Sequence, residues 1–215
     1  MKFRIVPVTA FEQNCSIIWC TKSLQGAIID PGGDIATIIR ILRKQRITIN
    51  CVLLTHGHID HVGGAFELSK QLNVPIIGPH RADAYWLNLL PEEAVLFDLP
   101  ELKKLIPDQW LKNNDLITIG DVQLRVIHCP GHTPGHVAFF HKESKTAFVG
   151  DIIFKNSVGR TDFEGGNEQQ LMHSIFHKLF PLGDDVTFIS GHGPKSTFGR
   201  EKRKNPFLLE ALLSS

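Results

Sequence analysis

The chain contains no CxxC pair, and its four cysteines, Cys15, Cys20, Cys51 and Cys129, are scattered. Without that spacing a thiolate metal site or a redox pair has no support, and Cys15 and Cys20 would face opposite ways on one strand. Reduced, structural thiols are expected. Long hydrophobic runs are also missing. Nothing approaches the roughly 18 apolar residues of a membrane span, and Arg4 and Pro7 interrupt the apolar stretch that a signal peptide would need unbroken. A cytoplasmic protein without a membrane partner is the expectation. Excess charge of one sign is lacking as well: a formal net charge of +1 leaves no polybasic coat for nucleic acid. Low-complexity tracts, linkers and strong repeats do not occur. What is present, 215 residues that are 42% hydrophobic and 21% charged, suffices for one large domain with a buried core and small-molecule partners.

Apolar patterning alternates between strand and helix periods, the signature of a layered α/β domain. Strands are expected near 3–8, 15–21, 25–29 and 50–54. The segment GDIATIIRILRKQ repeats its apolar residues at helical spacing, with Asp34 placed as an N-cap. A second helix should start near Gly64 and run through AFELSKQL, followed by the short strand VPII. ADAYWLNLL reads as a helix with Pro91 just past its end. LITIGDVQLRVI is a hairpin around Gly120 and Asp121, and HVAFFHKESKTAFVGD is another strand pair. NEQQLMHSIFHKLF reads as an amphipathic helix and DVTFIS as a late strand.

Against that frame one stretch stands out: LTHGHIDHVGG crowds three histidines and an aspartate into six positions after an apolar run. Clustered imidazoles and carboxylates in a core are unfavourable unless something binds them together, and a metal ion does so. Other ligand-type residues also follow predicted strands: Asp30 after AII, HCPGHTPGH after LRV, Asp151 after AFVG, and SGHGP after DVTFI. Loops at the carboxyl ends of strands are where α/β proteins build sites. His56, His58, Asp60, His61, His132, Asp151 and His192 make seven ligands, too many for one tetrahedral ion. They suit two ions about 3.5–4 Å apart that share a bridging carboxylate. Asp30 is either a turn residue or an acceptor that orients a ligand histidine. His80, His128, His136, His141, His173 and His177 are read as ordinary satisfied or solvated histidines.

THGHIDH at 55–61, PGHTPGH at 130–136, VGDIIF at 149–154 and SGHGP at 190–194 resemble, in order and spacing, the metal-binding motifs of the metallo-β-lactamase superfamily. With VGRTDF at 158–163 and KNPFL at 204–208, the chain is most similar to a short bacterial form of the glyoxalase II group, the hydroxyacylglutathione hydrolases. The resemblance implies a four-layer αβ/βα sandwich of two mixed sheets flanked by helices. It assigns His56, His58 and His132 to one metal, Asp60, His61 and His192 to the other, and Asp151 to the bridge, with Asp60 and Asp151 as the catalytic carboxylates. Nitrogen and oxygen ligands fit zinc, but also iron or manganese.

Two divalent ions acidify a bridging water toward a pKa of roughly 7 and polarise a carbonyl, so no serine or cysteine nucleophile is needed. A thioester suits such a site, because a departing thiolate with a pKa near 8.5 leaves without a dedicated acid. The reaction expected is hydrolysis of S-lactoylglutathione by a monomer. Arg160 and Lys155, shortly after Asp151, are the candidates for binding the glutathione carboxylates. Tyr85, Trp86 and Trp110 either line an apolar wall or pack in the core. The helical extension that supplies basic glutathione contacts in longer relatives has no counterpart after LLEALLSS, which points to broader thioester specificity. The alternatives are a persulfide dioxygenase with a single iron, because GRTDF also resembles that branch, and nucleic-acid processing, which the near-neutral charge disfavours.

Overall fold

The computed structural model describes residues 1–213. Its strands form two six-stranded mixed sheets and one short hairpin. The first sheet runs in chain order through β1 (Lys2–Val8), β2 (Gln13–Trp19), β3 (Gln25–Ile29), β4 (Thr48–Leu53), β5 (Ile76–His80) and β6 (Gln109–Leu111). The second contains β7 (Leu116–Ile119), β8 (Val122–His128), β9 (Val137–His141), β10 (Thr146–Gly150), β13 (Thr187–Ser190) and β14 (Ser196–Thr197), ordered β14-β13-β10-β9-β8-β7. The hairpin pairs β11 (Ile153–Phe154) with β12 (Ser157–Val158).

Side-chain alternation along the strands decides the layers. Ile17, Ile28 and Val52 point one way, into a cluster with Ile38 and Leu42 of α1 (Ile35–Gln45), Leu68 of α3 (Ala65–Leu72), and Leu87 and Leu90 of α4 (Ala84–Leu96). Their neighbours Ile18, Ile29 and Leu53 point the other way and meet Val126, Phe139 and Phe148 of the second sheet. The outer face of that sheet packs Phe140 and Phe188 against Leu171 of α5 (Glu168–Ser174), Phe198 of α6 (Phe198–Lys204) and Leu208 of α7 (Pro206–Leu213). The order is helix, sheet, sheet, helix, as expected. Cys15 falls in the first cluster and Cys20 in the second, and all four cysteines are buried free thiols.

Four local expectations need correction. Asp34 precedes α1 but does not cap it: it sits in the left-handed region, φ 52°, and its Oδ2 accepts the Thr9 N–H at 2.7 Å. Pro91 lies inside α4 rather than beyond it. Proline cannot donate to the Leu87 carbonyl four residues back, and the Leu105 N–H takes that acceptor at 3.1 Å instead. A one-turn helix, α2 (Ile59–Val62), forms before Gly64. The amphipathic segment after Asn167, whose side chain caps α5, widens into a π turn over Ile175–Leu179 and ends in a 3-10 turn.

Candidate metal centre

Five loops bring the ligand-type side chains to one edge of the sandwich. β3 runs parallel to β4, β10 runs parallel to β13, and β8 lies two antiparallel steps from β10. Within each sheet the loops therefore leave the strands in one direction. His58, extended at φ −68° and ψ 145°, precedes α2, so His56 and His58 share one side while Asp60 and His61 ride the first helical turn.

Three three-residue groups result: His56 with His58 and His132, Asp60 with His61 and His192, and, behind them, Asp30 with His56 and His61; within each, the ligand atoms lie inside 4.8 Å of one another. The Nε2 atoms of His56 and His132 approach His58 Nδ1 at 3.1 and 3.0 Å. In the second group, His192 Nε2 lies 3.0 Å and His61 Nε2 3.6 Å from Asp60 Oδ2. Asp151 sits between the groups, with Oδ2 3.8 Å from His132 Nε2 and 3.7 Å from His192 Nε2.

The surrounding structure fixes which nitrogens face inward. His132 Nδ1 donates to the Arg160 carbonyl at 2.7 Å, and His192 Nδ1 to the Phe11 carbonyl at 3.1 Å. Asp30 Oδ2 takes His61 Nδ1 at 2.9 Å, and the same carboxylate accepts the Thr55 N–H and hydroxyl at 2.7 and 2.6 Å. Because carbonyls and carboxylates only accept, each of these three histidines turns Nε2 toward the centre. Gly191 makes room for this: a Cβ there would lie 2.0 Å from Asp151 Oδ1 and 2.5 Å from His61 Cε1.

The electrostatics are uneven. Burial, reinforced by neighbouring imidazoles, pushes His56 well below its ordinary value and His58 down to about 3. His132 is also lowered, chiefly by burial. In the other half burial opposes charge, but Asp151 and Asp60 outweigh it and raise His61 well above its usual range. Burial likewise opposes ionisation of Asp60 and Asp151, yet His61 and its neighbours hold both carboxyls low. His61 Nε2 and Asp151 Oδ1 lie 3.3 Å apart, buried, and neither has a hydrogen-bond partner. Neutral imidazole lone pairs on one side, carboxylates on the other, and orphaned inward atoms between them are the donor set that divalent cations satisfy.

Two residues outside the expected ligand set help to hold this arrangement. The buried Asp83 accepts the Gly57 N–H at 2.9 Å and the Thr133 hydroxyl at 2.8 Å on Oδ2, and the Gly135 N–H on Oδ1. It thereby clasps the first histidine loop to the 130–136 loop. Burial lifts its carboxyl to about 7 against those three donors. His136, buried and stacked on His56 at 4.5 Å, accepts the Asp151 N–H at 3.0 Å and so orients the central carboxylate's backbone. Its place in PGHTPGH was the available signal; Asp83 offered none. His80, His128, His141, His173 and His177 lie outside all three groups.

The proposed substrate contacts and aromatics divide. Arg160 is exposed and pairs in two-pronged fashion with Asp162 at 2.7 and 2.6 Å, its guanidinium 4.2 Å from the Phe163 ring. That ring in turn lies 4.9 Å from His58. Lys155 is exposed at the turn of the β11–β12 hairpin. Trp86 is buried edge-on to His58 at 4.5 Å, whereas Trp110 packs on the helix-side core and Tyr85 is exposed.

Comparison with known proteins agrees with this geometry. The metallo-β-lactamase superfamily model matches residues 8–192. The chain is 44% identical over 209 residues to the hydroxyacylglutathione hydrolase GloC of Haemophilus influenzae, covering 97% of this chain and 98% of that one. Among solved structures it superposes on the BLEG-1 B3 metallo-β-lactamase with a TM-score of 0.89 at 33% identity, covering 96% and 99% of the two chains. It matches TTHA1623, solved in a di-iron-bound form, at 0.86 and 31% identity, covering 95% and 100%. The chain belongs to the metallo-β-lactamase superfamily.

Proposed function

We propose that this protein is a metal-dependent thioester hydrolase acting on hydroxyacylglutathione, S-lactoylglutathione being the substrate to test first. The observation that carries the reading is the pair of ligand groups flanking Asp151, together with 44% identity to a hydroxyacylglutathione hydrolase over nearly the full chain. His56, His58 and His132 would hold one divalent ion, and Asp60, His61 and His192 the second, with Asp151 shared. Zinc is the first candidate; the di-iron form of TTHA1623 makes iron the second. Such ions, when bound, supply Lewis acidity that acidifies a water and polarises a carbonyl oxygen.

The chain's own groups do the rest. Asp60 and Asp151, both held ionised by the neighbouring histidines, would accept a proton from an attacking water. Asp30 and the carbonyls of Arg160 and Phe11 fix the imidazole orientations, so little reorganisation is left for the reaction. The thiolate leaves without a dedicated acid. The Arg160 guanidinium, whose Nη1 is left free by its pairing with Asp162, would meet a carboxylate of the thiol portion.

The test follows thioester loss from S-lactoylglutathione, together with oxygen uptake on glutathione persulfide and metal content, on one purified sample. Steady thioester turnover with two ions per chain is expected. Oxygen uptake with one iron and no thioester loss would overturn the reading in favour of a dioxygenase. His58→Ala should abolish turnover while the circular dichroism spectrum is unchanged.

A further inference from the structure

A cavity of about 570 Å³ reaches Asp60 of the metal centre, and neither Arg160 nor the His132 loop lines it. Its volume falls within the range of about 300–1,000 Å³ typical of small-molecule pockets. Ile35, Ile59, Val62, Leu90 and Leu105, all buried, supply the apolar part of its wall, and Asp60 also lines it. Phe11 joins the cavity to the site: its ring lies at the mouth, edge-on to Phe97 at 5.7 Å, while its carbonyl holds His192. Nothing in the hydrolytic chemistry calls for this chamber.

We infer that the cavity is an acyl subsite, and that the enzyme takes thioesters whose acyl group carries an extended apolar chain. The inference rests on the thioester reading above. A thioester has two arms diverging from its carbonyl carbon. If the thiol arm lies along the His132 and Arg160 flank, the acyl arm is directed to the Asp60 and His192 flank, where the chamber begins. The buried apolar part of the lining fits a flexible chain, and Glu67, Glu101 and Lys103 stand exposed around it. A folded partner would need a flat or protruding counterpart.

Binding is measured by calorimetry on the metal-loaded protein with S-methylglutathione and S-octylglutathione, thioethers that are not cleaved. Burial of the added methylenes predicts that the octyl compound binds at least about tenfold more tightly. Ala36→Trp, on an exposed helix position at the cavity, and Leu102→Trp, on its rim, should each remove most of that difference. Circular dichroism and thermal melting confirm that the variants are folded. Equal affinities for both thioethers in the wild type, or a chain-length gain that both variants keep, would overturn the subsite. Failure to hydrolyse both S-lactoylglutathione and S-octanoylglutathione would instead strike the thioester reading, so the two failures are separable.

Discussion

At the scale of single residues, Asp30 does more than its turn position suggests. Its carboxylate satisfies three donors at once, one of them on His61. Asp30→Ala leaves those donors buried without a partner, and urea denaturation should show a loss of about 3 kcal/mol. It should also weaken metal affinity by about 10- to 100-fold, read by competition with a chelator, because His61 loses its orienting acceptor. Glu93 gives a pH signature. Its Oε2 is buried without a partner, and burial, then the charge of Asp60, lifts its carboxyl from the usual 4.5 to about 7. The folded state keeps this proton at pH values where the unfolded chain has lost it. The Glu93 contribution to stability therefore declines as pH rises from about 4.5 to 7 and levels off above. Glu93→Gln does not titrate, so thermal melts should show the variant gaining on the wild type between pH 5 and pH 8. Melting differences that stay constant across that range would contradict the assignment.

Among the elements, the β11–β12 hairpin explains why KNPFL matters. Asn205 Nδ2 donates to the carbonyls of Ser157 at 2.9 Å and Phe154 at 3.4 Å, and Glu201, fully buried, accepts the Asn156 N–H at 2.7 Å. The first helices of the C-terminal segment thus pin the hairpin that leads from Asp151 to Arg160. Asn205→Ala should cost about 2 kcal/mol and raise KM for a glutathione thioester more than it lowers kcat, with metal content unchanged. Gly131, in the 130–136 loop, is the matching point of contact with α5. At φ +142°, a Cβ would meet Leu171 Cα at 2.3 Å, so Gly131→Ala should push α5 from the His132 loop and destabilise by about 3 kcal/mol. The longer strands, the two hairpins and α1 were readable because each carries a complete apolar period bounded by turn residues, whereas β6, β11, β12 and β14, two or three residues long, are too short to carry one. Pro91 misled because its local rule holds only when the freed carbonyl has no other donor, and Leu105 is 18 positions away in sequence. Asp34 misled for a similar reason: Thr9, distant in sequence, claimed its side chain.

For the whole molecule, the ligand residues were legible because metal chemistry demands particular side chains, and each was placed just after an apolar strand run. What holds them was legible only in part: Asp30 after AII and His136 in PGHTPGH offered a signal, whereas Asp83 and the carbonyls of Phe11 and Arg160 offered none. The cavity beside Asp60 was equally hidden, being lined by ordinary core residues drawn from several segments. Ions that bind the folded chain and not the unfolded one stabilise it by mass action. Stripping them with a chelator should lower the melting temperature by roughly 10 °C, reversibly on adding zinc. The most direct measurement is metal stoichiometry at equilibrium on the wild type, His58→Ala and Asp60→Ala. Two ions per wild-type chain, falling to about one in each variant, is the expected result. A wild type that binds no more than one ion, or variants that both retain two, would contradict a centre built from two ligand groups around Asp151.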